Sequence, residues 1–308
     1  MALLYKSDPD RGQRWKALFA EYAPDIEFRQ WPDIGDPADI RYLLAWQPPE
    51  GIATLLPNLD VLFATSAGID QFDPNVLPEA LPVVRMLDPA IEQGMIEYAT
   101  FATLWLHRHM ADYVRQQRDR CWQAHMIKPA DKRRVGILGL GQLGGAIARH
   151  LRGYGFQVSG WARTPRDISG VTTFAGKAAL DDFLAGCDIL ICVLPLTKET
   201  RGVLNQTLFK RLPPGAALIN MGRGDHLVEA DLTRALDSGQ LSGAVLDVLR
   251  EEPPASDHPF WSDPRILMTP HVAAMTQPDT AFAVLLENLR RHQRGEAMLG
   301  QVDRGRGY

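Results

Sequence analysis

The chain has 308 residues, 45% of them hydrophobic and 23% charged, with a formal net charge of -4. That length exceeds what one hydrophobic core ordinarily organises, so two domains are expected. The slight acidity argues against nucleic acid as a partner, and no run approaches the roughly 18 apolar residues of a membrane span.

The first ten residues lack a basic region followed by an apolar one, so no signal peptide is expected and the protein is placed in the cytoplasm. Short apolar runs at residues 2–5, 42–45, 61–65 and 83–86 read as strands, with a helix over 14–22 between the first two. Pro48, Pro49, Pro57, Pro74, Pro78 and Pro82 punctuate the connections. Residues 92–123 carry no proline and one glycine, and Ile96, Ala99, Thr103, Leu106 and Met110 recur at helical spacing, which predicts one long helix. Its basic stretch 115–120 reads as a solvated face or part of a subunit contact.

A more regular series follows. Strands at 134–138, 157–161, 189–193, 217–220, 243–247 and 266–268 alternate with helices at 142–154, 180–185 and 229–238, and a last helix spans 280–294. Alternation of this kind predicts an α/β fold with doubly wound parallel sheets. Near-continuous apolar strands such as 189–193 suit a sheet covered on both faces. Cys187 and Cys192 sit in that apolar stretch and read as buried, reduced thiols; no metal-ligand cluster is expected.

Gly139, Gly141 and Gly144 follow the strand 134–138 and open the next helix. In that context Gly139 permits a tight turn, Gly141 lets backbone approach a pyrophosphate, and Gly144 lets helix pack on strand. The helix start at Gln142 and Leu143 offers free N–H groups and a positive dipole end to the phosphates. An NAD enzyme places Asp or Glu about 20 residues further on, for the ribose hydroxyls. Here Ala162, Arg163 and Thr164 end the strand, and no acid precedes Asp167. Arg163, Thr164 and the nearby Arg166 suit a 2′-phosphate, so NADPH is the expected cofactor; the alternative is an NAD site with these residues merely exposed.

Ligands of open α/β sheets bind beyond the carboxyl ends of the strands. That rule selects Arg223, Asp247, Glu252 and His271, each just past a predicted strand. Reduction of a 2-oxoacid needs a hydride, a proton for the developing alkoxide and a cation for the carboxylate. Histidine is the natural proton donor near neutral pH, and a neighbouring carboxylate such as Glu252 favours its charged form and orients the ring. Arginine grips a carboxylate in a fork and stabilises charge on the carbonyl oxygen.

The glycine turn, the stretch 194–200, Asn220 through Gly224, Leu246 and Asp247 through Glu252 and Pro253, and Pro270 with His271 resemble the D-2-hydroxyacid dehydrogenase family. Trp46 with its following prolines, the stretch 97–99 and the ending 300–304 are similar to its glyoxylate/hydroxypyruvate reductase A group. The resemblance implies Arg223, Glu252 and His271 as the catalytic set. It also implies that the loop 66–70 binds the substrate carboxylate through backbone N–H groups of Ala67, Gly68 and Ile69. Asp247 would face the nicotinamide carboxamide, and Leu194, Pro195, Thr200, Met221 and Gly222 would lie along the cofactor. Trp46 is expected to wall the substrate pocket or to be plain core.

The resemblance further implies a homodimer, and a Rossmann nucleotide-binding domain (96–279) inserted in a flavodoxin-like substrate domain (1–95, with 280–308 returning to it). Relatives more often carry Ala or Ser where Gly222 stands, which predicts a looser loop beneath Arg223. Two other readings stay open: a reductase of bulkier oxoacids such as phenylpyruvate, with Trp46, Trp261 and Met275 around a roomier pocket, and a non-catalytic nucleotide sensor. The role of Arg85, near a strand end, is also open.

Overall fold

A computed structural model describes residues 1–69, 71–72 and 77–303; Asp70, Pro74 and Arg304 lie outside the described residues. The chain divides into two units, Met1–Ile91 with Met275–Tyr308, and Glu92–Ala274.

The first unit opens with β1 (Ala2–Lys6), α1 (Pro9–Tyr22), β2 (Glu27–Gln30), β3 (Ile40–Ala45), α2 (Ile52–Leu55), β4 (Val61–Ala64) and β5 (Val83–Val84). All strands are parallel in the order β2-β1-β3-β4-β5, the flavodoxin-like arrangement. Leu3, Leu4, Leu43 and Leu44 are fully buried, as neighbouring residues on both faces of a covered sheet should be.

Three details differ from expectation. Helix α1 begins five residues early, because the Asp8 carboxylate accepts the Arg11 N–H at 2.8 Å and Pro9 occupies the first turn. Strand β2 carries a polar, half-exposed sequence and pairs only with β1, so apolar patterning misses it. Strand β5 is two residues long because the Arg85 and Met86 N–H groups turn to the Gly300 and Ser66 carbonyls.

Helix α3 (Pro89–His107) carries the chain into the second unit, followed by α4 (Met110–Arg118). The single helix expected over 92–123 is therefore two. His109 adopts a left-handed φ of 56°, which ends the α-helical ladder, and Arg120 does the same after α4. Side-chain periodicity does not register a reversal confined to one residue. On α4, Arg115 pairs with Asp112 at 2.8 Å, as on a solvated face.

Then come β6 (Arg134–Leu138), α5 (Gln142–Gly153), β7 (Gln157–Ala162), β8 (Thr172–Ala175), α6 (Leu180–Ala185), β9 (Ile189–Cys192), α7 (Gln206–Phe209), β10 (Ala216–Asn220), α8 (Glu229–Asp237), β11 (Leu241–Leu246) and β12 (Ile266–Met268). The strands are parallel in the order β12-β11-β10-β9-β6-β7-β8, so the winding reverses between β6 and β9. That reversal is where doubly wound sheets bind dinucleotides. Edge strand β8 was not anticipated, for the same reason as β2.

Phe183, Phe209, Leu218 and Leu232 fill the core of this unit. Cys187 and Cys192 are buried with free thiols, and burial pushes both up to about 12, so they stay protonated. The chain closes with α9 (Pro278–Gln293) in the first unit, where Phe282 meets the Phe19 ring edge-on at 5.1 Å. Among the described residues no helix is long and apolar enough to cross a membrane.

Candidate active site

The turn between β6 and α5 shows why its glycines are there. Gly139 has a φ of 114°, which side chains rarely tolerate. A Cβ on Gly144 would lie 1.9 Å from the Gly139 carbonyl oxygen, so α5 packs this closely on β6 only with glycine. A Cβ on Gly141 would meet nothing within 4 Å, which leaves open space above the helix start. The first intrahelical bond runs from Gly145 N–H to Gly141 O, leaving the N–H groups of Gln142, Leu143 and Gly144 outside the helical ladder. These features fit a pyrophosphate cradle.

Ala162 is buried at the end of β7, while Arg163 and Thr164 are exposed just beyond it. The loop after β9 is held by Thr200, whose Oγ1 donates to the Pro195 carbonyl at 2.7 Å and accepts the Thr197 N–H at 2.8 Å. Glu199 on this loop is pulled below the usual carboxylate range, first by the Thr197 hydroxyl and, more weakly, by the charge of Arg163.

The carboxyl ends of β10, β11 and β12 hold the other candidates. His271 Nδ1 and Glu252 Oε2 are 2.8 Å apart; a carboxylate only accepts, so Nδ1 carries the proton of this bond and Nε2 is left for other chemistry. Burial pushes the Glu252 carboxyl up, but His271, the Leu249 N–H and the charge of Arg223 outweigh it, and the group sits below its ordinary value. The charge of Arg223 therefore reaches Glu252. Arg223 Nη1 donates to Gly222 O at 2.8 Å, and the Arg223 carbonyl accepts from Asn220 Nδ2 at 3.0 Å.

His271 itself has a φ of 54°, a strained conformation for a non-glycine residue, and its N–H donates to the Asp247 carbonyl at 2.8 Å. Asp247 is 1% exposed and holds the whole turn. Its Oδ1 accepts the Thr269 hydroxyl at 2.6 Å and the Val272 N–H at 2.8 Å, and Oδ2 accepts the Ala273 N–H at 2.8 Å. Because Thr269 donates to Asp247, the Tyr98 hydroxyl must donate to Thr269, 2.6 Å away. Burial pushes that phenol up to about 12, so it keeps its proton. The carboxylate expected to face the nicotinamide is thus also the anchor of the His271 turn.

Arg223, Glu252 and His271 are gathered at one edge of the second unit, as the sequence led us to expect. Met221 is buried, and a Cβ on Gly222 would lie 3.0 Å from the His226 ring and 3.2 Å from Leu194 O, so this loop is closely packed rather than loose. The structural roles of Tyr98 and Thr269 were missed; they are 171 residues apart, and no local pattern links them. Trp46 and the loop 66–69 belong to the first unit. Trp46 is 37% exposed after β3, so it is not plain core. Ser66 Oγ donates to Gly68 O at 2.7 Å and closes its loop. Trp261 in the second unit and Met275 in the first are also exposed. Among the described residues no group of three or more His, Cys, Asp or Glu could hold a metal.

Residues 100–273 match the D-isomer specific 2-hydroxyacid dehydrogenase family, in its NAD binding domain. The chain is 40% identical over 302 residues to a glyoxylate/hydroxypyruvate reductase A of Yersinia enterocolitica, covering 96% of both chains. It is 42% identical over 303 residues to a protein of that name from Photorhabdus laumondii, again with 96% of each covered. Among solved structures, a D-isomer specific 2-hydroxyacid dehydrogenase from Xanthobacter autotrophicus Py2, in complex with NADPH and MES, superposes with a TM-score of 0.92 at 40% identity, covering 100% of this chain and 99% of that one. An NADPH-dependent glyoxylate/hydroxypyruvate reductase from Sinorhizobium meliloti, with NADP and sulfate, gives 0.91 at 32% identity and the same coverage.

Proposed function

We infer, from its membership of the D-isomer specific 2-hydroxyacid dehydrogenases, the family to which this chain belongs, that the protein is an NADPH-dependent reductase of small 2-oxoacids, glyoxylate and hydroxypyruvate foremost. The observation that carries the catalytic reading is the His271–Glu252 pair at 2.8 Å, under the charge of Arg223, on the carboxyl edge of a doubly wound sheet.

Backbone N–H groups of Gln142, Leu143 and Gly144 are the proposed partners of the pyrophosphate, with Arg163 and Thr164 for the 2′-phosphate. NADPH, when bound there, would supply hydride chemistry toward the carbonyl carbon. Arg223 pairs with the oxoacid carboxylate and stabilises charge developing on the carbonyl oxygen. His271 delivers its Nε2 proton to that oxygen, and Glu252 on Nδ1 fixes the ring and compensates its positive charge. Trp46 and the backbone of Ala67, Gly68 and Ile69 are proposed substrate contacts of the first unit.

Initial rates from nicotinamide absorbance test this, using glyoxylate, hydroxypyruvate, pyruvate and phenylpyruvate with NADPH and with NADH. Fast reduction of the first two with NADPH is expected. Preference for phenylpyruvate or NADH would overturn the pocket or the Arg163 assignment, and binding of NADPH without turnover would make the protein a sensor.

A homodimer in the cytoplasm completes the proposal. Trp122 and Met126, past α4, are 103% and 96% exposed, and Phe101 and Val114 add apolar surface on α3 and α4. A second copy of this chain is the proposed cover. Sedimentation of Trp122→Glu should shift toward monomer relative to a dimeric parent.

A further inference from the structure

His226 is a buried imidazole that the reaction does not use, and both of its nitrogens are committed. It ends the 3-10 turn Gly224–His226 just after Arg223 and is 0% exposed. Nδ1 lies 3.1 Å from the Arg223 backbone N–H, and Nε2 lies 3.3 Å from the Pro195 carbonyl oxygen. A backbone N–H only donates and a carbonyl only accepts. Nδ1 is therefore bare and Nε2 carries the proton, so one neutral tautomer satisfies both partners.

We propose that His226 is a positioning residue that ties the loop along the cofactor to the loop that presents Arg223, acting through Pro195 on one side and Arg223 on the other. The inference rests on the role proposed above for Arg223 and on the place along the cofactor that the family resemblance implies for the loop after β9.

Three further observations support it. The Pro195 oxygen that faces Nε2 also accepts the Thr200 hydroxyl at 2.7 Å, so His226 and Thr200 pin the same point of the loop. Gly222 gives the ring its room, since a Cβ there would stand 3.0 Å from Nδ1 and 3.2 Å from Leu194 O. The missing side chain is replaced by an imidazole and does not loosen the loop. On the strand side, Cys192 Sγ is 3.9 Å from Nδ1, and the backbone oxygen of His226 accepts the Leu204 N–H at 2.8 Å. The hydrogen bonds of the ring run to the loop after β9 and to the loop that presents Arg223.

Two conservative variants separate the two bonds. His226→Asn keeps an acceptor near the place of Nδ1 but does not reach Pro195. His226→Gln places an amide donor near Nε2 but offers Arg223 no acceptor. Fluorescence titration reads the NADPH Kd without turnover, steady-state rates read the oxoacid KM, and the melting temperature reads the fold. His226→Asn should raise the NADPH Kd about tenfold with the oxoacid KM within about twofold, and His226→Gln should do the reverse, as expected for loss of one buried hydrogen bond.

Equal weakening of both ligands in both variants, in step with the melting temperature, would make His226 a plain core residue and overturn the proposal; so would no change in either. Arg223→Ala serves as control. If it leaves the oxoacid KM unchanged, the reading of Arg223 has failed, and the NADPH arm alone decides: a Kd raised by Asn but not by Gln supports the Pro195 tie, and any other pattern overturns it. Nitrogen-15 spectra of the labelled parent protein give a check without mutation. They should show a bare Nδ1 and a protonated Nε2 for this ring, and the opposite tautomer would contradict the proposal.

Discussion

The glycine turn after β6 and the loops after β10, β11 and β12 lie on the same edge of one sheet and are built in opposite ways. The first works by absence. Gly139, Gly141 and Gly144 remove side chains so that backbone can turn, open to a ligand and pack. The second works by presence. Asp247, Thr269, Asn220 and His226 fill their positions with hydrogen bonds that hold Arg223 and His271 in place, the latter in a left-handed conformation. A phosphate is recognised by many N–H groups at once, which backbone supplies. A single proton must leave from one atom, which requires a side chain held to a few tenths of an ångström.

Breaking each region should therefore fail differently. The largest effect on cofactor binding is expected from Gly144→Ala, whose Cβ would fall 1.9 Å from a backbone oxygen that cannot rotate away. The NADPH Kd should rise about 100-fold or more by fluorescence titration, the cost of displacing α5 from its strand. Asp247→Asn comes next, because an amide N–H2 would face N–H and O–H donors that now meet a carboxylate. About 2 kcal/mol of stability should be lost, read from urea unfolding, with kcat falling more than NADPH affinity.

Glu252→Gln should lower kcat by about tenfold, since a neutral partner no longer compensates a charged imidazole. The sign of the pH effect follows from its lowered carboxyl. A depressed folded pKa stabilises the pair above the ordinary carboxylate value of about 4.3 and loses that contribution as pH falls through the lowered one. The parent enzyme should thus hold kcat/KM into weakly acidic buffer and lose it only where Glu252 takes up a proton, and the Gln variant should lack that acid fall.

The smallest effect on turnover lies at the other end of the strands. Asp188, preceding β9, is raised by burial but pulled down further by Arg134, at 2.7 Å, and Lys128, at 2.8 Å, to about 2. Its stabilisation is present above the unfolded value of about 3.9 and lost as pH falls through about 2, about 1–2 kcal/mol in all. Asp188→Asn should lower the melting temperature at neutral pH, converge with the parent in strong acid, and leave kcat unchanged.

The same contrast explains what could be read from residues alone. A steric demand for glycine shows directly in sequence, and so do the continuous apolar strands β6, β9 and β10 that frame the site. The place of Arg223, Glu252 and His271 at one sheet edge was legible because each follows a strand. The polar edge strands β2 and β8 escaped because neither carries an apolar alternation. The break at His109 escaped because one residue's φ leaves no periodic trace. The scaffold of the His271 turn escaped for a third reason: Tyr98, Thr269 and Asp247 form one hydrogen-bonded chain across 171 residues of sequence, and only folding brings them together.

The most direct test of the account is NADPH oxidation by glyoxylate in the parent enzyme and in His271→Ala, both saturated with NADPH. Loss of the imidazole should lower kcat by about 10²–10⁴ while the NADPH Kd stays unchanged, because His271 is held by Glu252 and Asp247 and is not part of the glycine turn. Near-normal turnover in the variant would contradict the account, since some other group would then supply the proton.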